Sequence, residues 1–208
     1  KFHLDNNAVF TGASGETHTI GGGMSFDSGS TFTVGGSSFL LTATNTGKII
    51  SAVPSITFST LTASGTGGGW AFSGTYTLQN ALAVNAGTLS GTGNITVQSG
   101  GISGAGAFAM TGGTVTVQGT ANFGGNTDWS FYNLTFGNGV TVATTTKTGS
   151  STITTQNVLT ISSSHTLEAS NSRWILLGAG TPITVSGSLS AQTSTFRYAS
   201  TTAQNIRA

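Results

Sequence analysis

The chain has no cysteine, only two prolines (Pro54 and Pro182), and few charges: six basic and five acidic side chains in 208 residues. Without cysteine there is no disulfide framework and no thiolate chemistry. Two prolines exclude a proline-rich linker. Charged residues make up 5%, against roughly 25% in ordinary soluble domains. The net charge of +1 gives no basic footprint for nucleic acid or an anionic membrane. No apolar run approaches the ~18 residues of a membrane-spanning helix. No stripe of Leu, Ala, Glu or Lys recurs at helical spacing, so the pattern is β throughout. The chain opens on Lys1 with no signal peptide ahead of it, and is expected to be a mature product or a fragment.

What fills the deficit is glycine, with 32 residues, and Ser plus Thr at roughly a third of the chain, far above average usage. Such a composition suits disorder only when hydrophobicity is low or net charge high. Here 36% of residues are hydrophobic and mean hydropathy is +0.14, so a core can be buried. Apolar residues alternate with Thr in short runs such as Thr31–Val34, Asn94–Val97, Thr114–Val117, Val158–Ile161 and Ile183–Val185. Gly, Ser and Asn clusters between them supply turns. Runs this short suit a solenoid, where each coil adds one strand to each of two or three parallel sheets.

A longer period is present as well. Phe58-Ser-Thr-Leu-Thr62 matches Phe131-Tyr-Asn-Leu-Thr135 at an offset of 73. Gln79-Asn80-Ala-Leu-Ala-Val84 matches Gln156-Asn157-Val-Leu-Thr-Ile161 at 77. Thr33-Val34 and Phe39 match Thr116-Val117 and Phe123 at 83 and 84. The expected architecture is an all-β parallel β-helix of about ten coils, at about 20 residues per coil. It spans residues 1–208 as one domain of imperfect super-repeats of 73–84 residues.

The two ends are complementary. Gln204-Asn-Ile-Arg-Ala208 is what should precede a Phe-x-x-Leu-Thr module, and Phe2-His3-Leu4 is a shortened version of one, Phe2 standing for Phe131 and Leu4 for Leu134. Asp5, Glu16 and Asp27 lie near the start, opposed only by Lys1, and Arg173, Arg197 and Arg207 near the end, with no acid after Glu168. An acidic head on a basic tail is electrostatically complementary. Candidate self-association residues are therefore Phe2, Leu4, Asp5, Arg197, Ile206 and Arg207. Residues 49–127 carry no Asp, Glu, Lys or Arg, which points to an outside covered by neighbouring copies, glycans or a cell-surface matrix.

The modules Phe-Tyr-Asn-Leu-Thr-Phe (131–136), Gly87-Thr-Leu-Ser-Gly-Thr-Gly-Asn-Ile-Thr-Val97 and Thr201-Thr-Ala-Gln-Asn-Ile206 resemble repeats of bacterial surface β-helix proteins. These include the autotransporter-passenger and filamentous-haemagglutinin-like adhesins and related large repeat proteins. The resemblance implies a right-handed parallel β-helix at or outside the cell surface, serving as stalk, adhesin or fibre. It brings no catalytic residues and no cofactor.

The same architecture hosts polysaccharide lyases and hydrolases, which need paired carboxylates. The five here are far apart in sequence; stacking could align only Asp5 with Asp27, where a turn role is the simpler account. His3, His18 and His165 lack metal-motif spacing. Gly21–Gly23 and Gly67–Gly69 lack the Asp of a calcium nonapeptide, and Ser103 fails the nucleophile-elbow spacing. The expectation is no enzyme, no metal and no cofactor. Trp70, Trp129 and Trp174 sit in apolar runs and are read as core rather than a sugar platform. Asn94-Ile-Thr96 and Asn133-Leu-Thr135 are glycosylation sequons. Thr-x-Thr pairs at 17–19, 31–33, 42–44, 75–77 and 114–116 begin 11 to 39 residues apart, too irregular for an ice-binding ladder. The reading is a structural subunit that continues the solenoid head to tail, with a glycan- or surface-binding adhesin passenger as the alternative and an ice-binding solenoid as the minor one.

Overall fold

A computed structural model describes residues 1–205. Among them are 28 short strands and no helix. All pairings between named strands are parallel, as in Phe2–Leu4 with Met24–Phe26. Three strands make a coil, one to each of three faces. The first face is a ten-stranded sheet from Phe2–Leu4 to Thr195–Tyr198. The second is a seven-stranded sheet from Ile56–Phe58 to Ile183–Val185. The third is a nine-stranded sheet from Thr17–Ile20 to Ser188–Ser190. A separate pair, Val9–Thr11 with Thr31–Thr33, takes the second face's place in chain order in the first two coils. The result is a β-solenoid of about nine turns, close to the ten coils expected. At ~4.8 Å per step, nine steps make a rod about 43 Å long.

Apolar side chains alternate inward, with Thr and Ser between them outward. Tyr76 and Leu78 are buried while Thr75 is exposed and Thr77 partly so. All three tryptophans are buried, as expected of core residues. Aromatic rings stack across coils, as in Phe10 on Phe32, 5.1 Å apart and nearly parallel, and Trp174 on Phe196, 5.6 Å apart. The Tyr76 hydroxyl is held between the carbonyls of Ile50 and Ser73, at 2.8 and 2.7 Å. Burial raises its pKa far above the usual tyrosine value.

Coil length varies, from 19 residues between paired Trp70 and Leu89 to 26 between paired Met24 and Ile50. Insertions sit in turns and leave the ladders unbroken, as solenoids allow. Gly104 shows how tight the corners are: its φ is +126°, and a Cβ there would lie 2.1 Å from the Val84 carbonyl oxygen.

The 73-residue match does not correspond to whole coils. Phe58 closes a strand of the second face and Phe131 one of the first; Leu61 lies on the third face and Leu134 on the second. The matched segments are eleven strands apart, one short of four coils, so the module returns rotated by one face. The match of Thr33-Val34 and Phe39 to Thr116-Val117 and Phe123 does span twelve strands, four whole coils.

Candidate functional site

At the N-terminal end, Phe2–Leu4 pairs with Met24–Phe26 and with no other strand among the described residues. Leu4 is buried and Phe2 half-buried. The Phe2 ring contacts Phe10 at 5.5 Å and Phe26 at 5.8 Å. Phe2 heads an inward column through Met24, Ile50, Phe72, Gly91 and Met110, and the Ala109–Ser130 pair sets Phe131 next in line. Leu4 does not share one with Leu134, which belongs to the next face. Asp5 follows in a turn whose carbonyl accepts the Ala8 N–H at 3.0 Å; one coil above, the Asp27 carbonyl accepts the Ser30 N–H at 3.1 Å. Asp5 and Asp27 are therefore stacked, and the structure adds His3, whose Nε2 lies 2.7 Å from Asp5 Oδ1 and 3.6 Å from Asp27 Oδ2. Sequence spacing conceals that third member, because its place depends on where the edge strand Phe2–Leu4 ends.

At the other end, Thr195–Tyr198 is the last described strand of the first face and, among the described residues, pairs only with Arg173–Leu176. Phe196 and Tyr198 are half-buried against the core. Arg197 is exposed, in register with Ile175, and Arg173 is exposed beside Thr195. The chain then crosses this end, where Gln204 donates from Nε2 to the carbonyls of Leu176 and Gly178, at 3.0 and 2.8 Å. Ile206 and Arg207 lie outside the described residues.

The second face carries an arrangement that sequence spacing concealed. Thr57, Thr77, Thr96, Thr116, Thr135, Thr160 and Thr184 are paired in unbroken register. All seven are partly or fully exposed. Only two of the Thr-x-Thr pairs contribute, because the flanking outward position alternates: Thr75, Asn94, Thr114, Asn133. The readable signal is the triplet apolar–Thr–apolar, as in Ile56-Thr-Phe58, Ile95-Thr-Val97 and Leu134-Thr-Phe136.

The two sequon asparagines belong to this lattice. Asn94 Oδ1 accepts the Thr114 N–H at 3.0 Å. Asn133 Nδ2, the atom a glycan would take, donates to the Gly113 carbonyl at 3.0 Å, and its Oδ1 accepts from Asn157 at 2.8 Å. Asn94 is exposed, whereas Asn133 is half-buried with its amide engaged on both sides.

A polar group also sits inside the rod. Lys147 is 2% exposed, with Nζ donating to the carbonyls of Thr148 and Gly149 at 2.6 and 3.2 Å. Burial lowers its pKa to about 8, partly opposed by the Asp128 carboxylate. His165 is buried with Nε2 3.0 Å from Thr145 Oγ1 and no partner for Nδ1. Burial lowers its pKa below the usual histidine value. Neither was singled out in the sequence for the core; as inward members of Ala143–Lys147 and His165–Glu168 they follow from strand alternation alone.

No family model, no curated protein and no solved structure matches the chain.

Proposed function

We propose that the chain is a structural rod of an extracellular or cell-surface filament or stalk, stacking end to end by continuing its solenoid. The observation that carries this reading is that, among the described residues, the first and last strands of the first face each pair on one side, with half-buried aromatics behind them: Phe2 and Phe10 at one end, Phe196 and Tyr198 at the other. An open edge with apolar cover behind it templates further pairing. A head-to-tail contact that does not close on itself makes a fibre. Acidic Asp5, Glu16 and Asp27 at one end and Arg173 and Arg197 at the other favour that polarity. The likeness to bacterial surface β-helix proteins and the charge-poor, hydroxyl-rich outside support a surface setting, with glycans or a matrix as side partners.

Negative-stain electron microscopy at near-neutral pH tests it. Fibres one rod wide, lost when residues 1–5 are deleted, are the expected result. Isolated rods about 43 Å long at every concentration would sink end-to-end stacking and leave the passenger reading, an adhesin segment binding glycans or surfaces.

The threonine ladder favours a second reading, an ice-binding face. Its hydroxyls and methyls repeat every ~4.8 Å along the rod, and the neighbouring outward position stands ~6.6 Å away. Residues 49–127, which supply its first four members, carry no charge. Thermal hysteresis of the purified chain decides this reading: Thr96→Tyr, in mid-ladder, should abolish hysteresis without unfolding the rod. A freezing point equal to that of a buffer with bovine albumin would exclude it.

A further inference from the structure

We propose that His3, Asp5 and Asp27 form a binding site for a divalent cation of the zinc type, which clips the first coil of the rod to the second. One donor atom from each residue lies within 4.8 Å of the other two. The three come from two coils, and the ladder fixes their meeting: Leu4 pairs with Phe26, so the turns that begin at Asp5 and Asp27 stack. Among the described residues, no Lys or Arg forms an ion pair with either carboxylate; their close polar partner of opposite tendency is His3. A neutral imidazole can offer one N–H at Nε2. That proton serves Asp5 at 2.7 Å and leaves Asp27, at 3.6 Å, without a hydrogen bond from it. A cation in the same place draws on all three groups.

The other ring nitrogen supports this assignment. His3 Nδ1 is hydrogen-bonded to the hydroxyl of Ser25, directly across the ladder. Once a cation takes the place of the Nε2 proton, the ring can carry its proton at Nδ1 and donate it to Ser25, with the Nε2 lone pair on the ion. This is how metal-bound histidines are commonly held, with the second N–H on an outer partner. Two stacked carboxylates and an imidazole suit zinc, which takes His and Asp together at ~2.0–2.2 Å. Calcium and magnesium prefer all-oxygen sets. Tetrahedral donors at those bond lengths stand roughly 3.4 Å apart. Asp27 is already near that separation from Nε2, and Asp5 reaches it by a shift of under about 1 Å. The side chains are 39%, 79% and 47% exposed for His3, Asp5 and Asp27, so the ion enters without opening the core and a water completes the fourth position.

The experiment is calorimetric titration of the full chain with Zn2+. Several residues are placed ahead of Lys1, because a free α-amino group there would chelate metal with His3 on its own. One ion should bind per chain, with a dissociation constant on the order of micromolar. His3→Ala and Asp27→Asn should each weaken binding at least tenfold. Ser25→Ala should weaken it about tenfold, the range for outer-partner changes. Zn2+ should raise the unfolding temperature of the native chain and not that of Asp27→Asn. Circular dichroism of each variant separates loss of the site from loss of the fold. No binding at millimolar Zn2+, or binding that survives both His3→Ala and Asp27→Asn in folded variants, would overturn the proposal.

Discussion

Phe2 and Tyr198 are the first and last members of one inward column on the first face. Between them stand Met24, Ile50, Phe72, Gly91, Met110, Phe131, Thr155 and Leu176. Among the described residues, the strand that carries each ring is paired on one side only. If copies stack in register, Tyr198 of one meets Phe2 of the next. Tyr198→Lys should then block fibre growth at one end and Phe2→Lys at the other, while equimolar mixtures of each with native chain cap fibres and shorten them. Sedimentation velocity reads this directly. Fibres of unchanged length in both mixtures would place the contact elsewhere.

Corner glycines should differ in how much they matter. A Cβ at Gly104 would meet the Val84 carbonyl oxygen at 2.1 Å, with φ at +126°; at Gly47, φ is +78° and nothing lies within 4 Å. Gly47→Ala should cost about 1–2 kcal/mol, the strain of a left-handed residue alone. Gly104→Ala should cost about 2–4 kcal/mol, because a backbone carbonyl must also give way. Urea unfolding measures both. Equal losses would mean that the Gly104 corner relaxes freely.

Alternation of apolar residues with Thr made the solenoid legible, since inward and outward positions follow directly from a period of two. The buried tryptophans followed from the same pattern. What stayed hidden depends on coil length. Because coils run from 19 to 26 residues, sequence spacing cannot say which threonines share a column; the Thr-x-Thr pairs look irregular because only two of the five touch the ladder from Thr57 to Thr184. For the same reason the match of Phe58 to Phe131 suggested equivalent positions, whereas the two lie on different faces. The stacking of Asp5 on Asp27 was readable, being one coil apart; the place of His3 beside them was not, since it depends on where one edge strand ends.

Acid should weaken the rod through His165. It is buried, its Nδ1 has no partner, and burial holds its pKa below the usual 6.5. Below pH 6.5 the unfolded chain takes up a proton that the folded chain refuses. Stability therefore falls as pH drops from 6.5 through the folded pKa, by at most about 1.4 kcal/mol per pH unit. His165→Leu should lose this component, at a cost of about 1 kcal/mol for the lost hydrogen bond to Thr145. Denaturant melts of both chains at pH 7 and pH 5 isolate the effect from His3 and His18. A difference between them that does not change with pH would contradict it.

Lys147 should act in the alkaline range and with the same sign, since burial also depresses its pKa. Its pKa falls from 10.5 to about 8 on folding. Below pH 8 both states carry the proton, and the fold bears the full cost of a buried cation, roughly 3 kcal/mol for a shift of that size. Between about pH 8 and 10.5 the folded chain gives up its proton while the unfolded chain keeps it, so stability rises with pH. Lys147→Met removes the charge and keeps an unbranched apolar stem, but leaves the carbonyls of Thr148 and Gly149 without Nζ. At pH 7 the variant should be more stable than the native chain by about 1–2 kcal/mol, the charge cost less the lost hydrogen bonds. At pH 10 its advantage should vanish or reverse, because the native amine is then neutral in the fold and still donates. Urea melts of the pair at the two pH values carry the measurement. An advantage equal at both would show that Lys147 is no charged burden in the folded rod.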